Sequence, residues 1–85
     1  MSTQTVSLAA LPEGGSAQVL DLLCRGSIRR RLQDMGIIQG THIQCLQRSP
    51  AGDPIAYRVR GATIALRLED SRDILVQTLE SVSSL

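Results

Sequence analysis

Lysine, tryptophan and phenylalanine are missing from this 85-residue sequence, and tyrosine occurs once. All nine basic residues are arginine, which excludes Schiff-base chemistry, lysine general bases and the lysine of a phosphate-binding P-loop. With 42% apolar residues and almost no aromatics, the core has to be built from Leu, Ile, Val and Ala. Eight acidic residues bring the formal charge to +1, too weak a field to make nucleic acid or an anionic membrane the default partner. No apolar run approaches the roughly 18–20 residues that cross a bilayer, and no signal-peptide pattern opens the chain, so a cytoplasmic protein is expected. In such a compartment Cys24 and Cys45 read as small hydrophobes and not as a disulfide.

What is present is mostly period-two alternation. Thr5 to Leu11 reads as a first strand, closed by a Pro12-Glu13-Gly14-Gly15 turn, and Ser16 to Leu23 as a second with Ala17 and Val19 inward. Ile28, Leu32 and Met35 then fall at i, i+4 and i+7, which predicts a helix over about 27–35 with an N-cap hydroxyl from Ser27 and a stop at Gly36. From Thr41 to Arg48 the period returns to two, with Ile43 and Cys45 on one face and His42 and Gln44 on the other. After the Ser49–Pro54 turn, Ile55, Tyr57 and Val59 alternate with Ala56, Arg58 and Arg60; Gly61 breaks the run and Thr63 to Leu66 restarts it. A short helical turn over about 68–73 and a last strand from Ile74 to Thr78 complete one domain. The fold class expected is mainly β, a small barrel of five to six short strands with one α-helix. Ile43, Cys45, Ile55, Tyr57, Val59, Ile64 and Leu66 should face inward, with Ile28, Leu32 and Met35 sealing one opening.

No constellation for catalysis stands out, since no nucleophile elbow or oxyanion motif surrounds a serine or thiol. His42 and Cys45 are suitable metal ligands, but three positions apart on a strand they point to opposite faces. Glu69, Asp70 and Asp73 in a short helical turn read as a water-facing group. No metal ligand is therefore assigned, and iron(II) association is expected to be weak at most. Arg25, Arg29, Arg30 and Arg31 form the one charge cluster; Arg25 and Arg29 lie together at helical spacing, and Arg30 is placed to pair with Asp34. Such a face is either solvated or a dock for an acidic partner surface.

Four stretches carry a family likeness: Leu32 to Thr41 (LQDMGIIQGT), Arg48 to Pro54 (RSPAGDP), Tyr57 to Arg67 (YRVRGATIALR) and Glu69 to Val76 (EDSRDILV). In order and spacing they resemble the FeoA family. Position 39 is Gln where many members carry Pro, and Cys24, His42 and Cys45 lie outside the shared pattern. The resemblance implies an SH3-like barrel over 5–80, a domain also found at the C-terminus of iron-dependent repressors, with 1–4 and 81–85 as flexible tails. It further implies a cytosolic accessory to a FeoB-type ferrous iron transporter, docking on that protein's GTP-binding domain and meeting the membrane only through it. Gly36, Gly40, Thr41 and Gly61 would shape the turns, and Asp53 would bond backbone amides of its own loop. The expected partner contacts are Arg25, Arg29 and Arg30 on the helix, with Pro50 and Asp53 in the loop. The competing functions are a small regulatory or nucleic-acid-binding module, disfavoured by the lack of aromatics for base stacking, and a free iron(II) carrier.

Overall fold

Alternating apolar residues pair into six antiparallel strands in a computed structural model that describes residues 4–79. The strands are β1 (Thr5–Ser7), β2 (Ser16–Leu22), β3 (His42–Arg48), β4 (Ile55–Val59), β5 (Ala62–Leu66) and β6 (Ile74–Leu79). Helix α1 (Gly26–Asp34) joins β2 to β3, and the short helix α2 (Leu68–Ser71) joins β5 to β6. The sheet order is β1-β6-β2-β3-β4-β5, so the final strand enters between the first two. Residues 1–3 and 81–85, expected as most of the two tails, lie outside the described residues; the Gln4 carbonyl accepts from the Thr78 N–H, and the Gln4 N–H donates to the Thr78 hydroxyl.

The inward set on β3, β4 and β5 follows the alternation. Ile43, Cys45, Ile55, Tyr57, Val59 and Leu66 are buried, and Ile64 is half-buried against them. In β2 the alternation breaks because a bulge between Val19 and Asp21 shifts the register: Ala17 and Val19 face the core, then Leu22 does, and Leu23 is left 55% exposed. A second bulge lies between Cys45 and Gln47.

The first strand is shorter than expected. Ser7 Oγ accepts from the Ala9 N–H and bends the chain into a 3-10 turn over Leu8–Ala10. Residues three apart eclipse in such a turn, so Leu8 and Leu11 both reach the core, which a continuous strand from Thr5 to Leu11 would prevent. Arg48 locks this segment from β3, its guanidinium donating to the carbonyls of Ala9 at 2.6 Å and Leu11 at 3.0 Å.

Helix α1 begins at Gly26, with Arg25 in the cap position and no side-chain cap, so Ser27 is not the N-cap expected. Its end follows the expected stop. The Gly36 N–H donates to Gln33 and the Ile37 N–H to Leu32, the paired bonds of a Schellman motif, with Gly36 at φ 96°. The apolar contact that accompanies this motif joins Leu32 to Ile37, and both are fully buried. Leu32 is the buried residue of α1; Met35 is half-buried against the core, while Ile28 is 42% exposed, contrary to its expected place at the barrel mouth. The helix leans on the barrel with its C-terminal turn, and Ile28 lies one turn too far back to reach it.

Candidate functional site

The arginines of α1 divide by what holds them. Arg29 donates to the Leu22 carbonyl and lies 4.0 Å from Asp21, which ties the helix to the end of β2. Arg31 reaches Asp70 of α2 at 3.2 Å. Asp70 is therefore buried and paired, in contrast to the water-facing position expected for it. Among the described residues Arg25 and Arg30 are exposed and make no ion pair, so the expected Arg30–Asp34 pair does not form.

Arg25 and Arg29 do come together, lining a groove of about 430 Å³ with Asp21, Leu22, Leu23 and Cys24. The exposed Leu23 and Ile28 sit on the same stretch of chain as these guanidiniums. Apolar side chains beside unpaired arginines are the composition of a protein-docking surface, where Arg is enriched and the apolar centre carries the energy. Sequence reasoning found the arginines but not Leu23 or Ile28, because Leu23 could be assigned to neither face of its strand without the bulge and Ile28 reads as a core residue until the helix lean is known.

Pro50 lines a separate groove of about 270 Å³ with Gln47, Ser49, Pro54, Ala56 and Ala65. Asp53 is exposed and its Oδ1 accepts from the Leu68 N–H at 2.9 Å, fixing the start of α2 instead of bonding amides within its own loop. A third groove, about 490 Å³, is lined by His42, Gln44, Arg58 and Arg60 beside Gly40, Thr41 and Gly61, with no carboxylate among its walls.

The turn residues hold these surfaces in place. Thr41 Oγ1 donates to the Gly36 carbonyl at 2.9 Å, and the Gly40 N–H donates to Val19 at 2.7 Å, joining the end of α1 to β2. Gly36 also makes room for Arg60, whose Cδ lies 2.9 Å from where a Cβ on that glycine would be. Arg60 and Gly61 both take positive φ, 53° and 83°, in the two-residue turn between β4 and β5.

His42 and Cys45 lie on opposite faces, the first exposed and the second buried. Burial pushes the Cys45 thiol up, with Arg48 opposing and Glu13 adding, so it is held protonated and unreactive. Burial also pushes the Tyr57 phenol up. Among the described residues its buried hydroxyl has no hydrogen-bond partner; Ser71 is near enough to oppose that shift but falls short of bonding geometry, and the Ser71 hydroxyl donates to Leu68 instead. Among the described residues no group of three or more His, Cys, Asp or Glu side chains is disposed to hold a metal ion. No described helix is long and apolar enough to cross a membrane.

Residues 6–78 match the family model of the FeoA domain. The chain is 34% identical over 74 residues to the Fe(2+) transport protein A/Fe(2+) transporter FeoB fusion protein of Porphyromonas gingivalis. That match covers 87% of this chain and 9% of the fusion protein, so the chain spans less than a tenth of this relative. Among solved structures it is similar to a FeoA-like protein from Clostridium acetobutylicum, with a TM-score of 0.85 and 33% identity over 100% of this chain and 98% of the other. It is also similar to Stenotrophomonas maltophilia FeoA complexed with zinc, with a TM-score of 0.73 and 27% identity over 86% and 88% of the two chains. That protein is described as an SH3 domain protein and a candidate ferrous iron transport activating factor.

Proposed function

Since this chain belongs to the FeoA family, we propose that it is a cytoplasmic, non-catalytic accessory of bacterial ferrous iron uptake that docks on a FeoB-type transporter. The fusion of an FeoA unit to FeoB in a relative supports the choice of partner, because two units on one chain meet at high effective concentration. The transporter's cytosolic GTP-binding domain is the part we assign as the receptor. The observation that carries a docking role is the surface at the start of α1, where Leu23 and Ile28 stand exposed and the unpaired Arg25 lines one groove with Leu23.

The mechanism needs no residue to react. Desolvating Leu23 and Ile28 supplies affinity, and the guanidiniums select a partner surface carrying carboxylates. Pro50 and Asp53 belong to the second set of proposed contacts, on the loop that also fixes α2. The test is a pull-down of the transporter's GTP-binding domain, in its GTP-bound, GDP-bound and empty states, by native protein and by the Arg25→Glu/Arg30→Glu variant. Capture by native protein and loss in the variant is the expected result. Equal capture by both would remove α1 as the docking surface, and no capture in any nucleotide state would remove the GTP-binding domain as receptor.

A further inference from the structure

The sheet is open, and its two outer strands differ. β1 is three residues long, a length that offers little template for another chain. β5 has five residues, Ala62 to Leu66, with no charge, no proline and no bulge, which are the devices that normally close an edge. Among the described residues no strand pairs with its outer side.

The register says which groups that edge presents. Val59 and Ala62 close a two-residue turn, so they form a hydrogen-bonded pair, as do Tyr57 with Ile64 and Ile55 with Leu66. Thr63 and Ala65 then turn their N–H and C=O groups away from β4, toward solvent. Their side chains lie on the exposed face, in two rows. One row runs Gln44, Arg58, Thr63; the other runs Gln47, Ala56, Ala65.

The rows differ in chemistry. The alanine row is the floor of the 270 Å³ groove walled by Pro50 and Pro54, space that small side chains leave open. In the other row Arg58 makes no ion pair among the described residues, and its guanidinium is long enough to reach over Thr63 to a strand about 10 Å away across two strand spacings. At the far end of β5 the carboxylate of Asp53 is already beside Leu68.

We propose that the free edge of β5 receives an extended segment of a partner protein as an added antiparallel strand, with a large apolar side chain beside Ala65 and, two residues later, an acidic one facing Arg58. Backbone bonds to Thr63 and Ala65 supply affinity, and the two rows supply specificity, the division seen wherever a strand is added to a sheet. A second copy of this chain fits less well. Pairing β5 with itself about Ile64 sets only Thr63 against the groove and brings Arg67 of each copy beside Arg60 of the other. This recognition is independent of the α1 surface, and the experiment uses a peptide, so either can fail alone.

The probe is a blocked seven-residue peptide of threonine with leucine at its third and glutamate at its fifth position. It is titrated into isotope-labelled protein, with chemical shifts and amide exchange followed. The expected result is shifts centred on β5 and slowing of Thr63 and Ala65 exchange by at least about tenfold at saturation. Ala65→Pro, which deletes an outward N–H at an edge where proline is tolerated, should weaken binding by at least about tenfold with melting unchanged. Should that variant not fold, the charge exchange still decides. A peptide with lysine at the fifth position should bind native protein about tenfold more weakly and recover on the Arg58→Glu variant. Shifts confined to α1, equal binding of the two peptides, or no binding would overturn the proposal. Protection of Thr63 and Ala65 that rises with protein concentration in the absence of peptide would also overturn it, assigning the edge to a second copy.

Discussion

Helix α1 and the β3–β4–β5 meander are anchored by opposite means. The meander is held along its whole length, by a ladder that is interrupted only by the bulge between Cys45 and Gln47 and by an inward row in which Ile43, Cys45, Ile55, Tyr57 and Val59 are all buried. The helix is held at one end, by Leu32, a Schellman turn and two arginines reaching neighbouring elements. Stability is thereby concentrated in the meander and in the last turn of α1, while the first turns of α1 are the part proposed to meet a partner.

That contrast breaks if Leu32 is dispensable. Leu32→Ala removes the buried residue of the helix and the contact with Ile37, so we expect a loss of about 2–5 kcal/mol, against under about 0.5 kcal/mol for Ile28→Ala. Chemical denaturation of the two variants checks it, and equal losses would mean that Ile28 packs as deeply as Leu32. Gly36→Ala should cost about 1–2 kcal/mol, from a positive φ and from displacing the stem of Arg60, read as a lowered midpoint with unchanged denaturant slope. Asp70→Asn should cost about 0.5–1 kcal/mol, because its partner Arg31 is 61% exposed and screened by water.

A pH series sharpens the picture of the meander. The Cys45 thiol and Tyr57 phenol are both raised above their ordinary values of 9.0 and 10.0 in the folded protein. Below pH 9 both are protonated in either state; above it the unfolded chain loses those protons first and is favoured. Stability should therefore fall as pH rises through 9 and then 10, and Tyr57→Phe should flatten the second fall. The smallest expected effect is that of Arg25→Glu/Arg30→Glu, within about 0.5 kcal/mol by thermal melting while transporter binding is lost. A large melting shift would show that the open end of α1 is structural after all.

The meander was legible because nothing interrupts its alternation between Ile55 and Val59, and Gly61 marks its turn. The two bulges were not, since an extra residue at Leu20 or Leu46 shifts the faces without any compositional sign. Burial of Ile37 was within reach of sequence reasoning, because a helix stopped by Gly36 carries its apolar contact from Leu32 to the residue after the glycine. Exposure of Ile28 was not, because its i, i+4 relation to Leu32 places both on one stripe and only the tilt of the helix separates them. The arginines proposed for docking could be named, but which of them are already occupied depends on Leu22, Asp21 and Asp70, brought together by the fold. The free edge of β5 was invisible, as sheet order is a property of topology and the same five residues would suit a central strand.

The place of β6 also governs how the protein is made. It is made after every other described strand, yet it pairs with β1 on one side and β2 on the other. Until residues 74–79 emerge, β1 has no partner and one side of β2 stands open, so translation cannot build this sheet in the order of synthesis. The nascent chain has to wait, with its first strand unpaired, and then close the sheet from its middle in one late step over a long loop. A ribosome stalled before Ile74 would therefore carry a chain without its barrel, however complete the β3–β4–β5 meander already is.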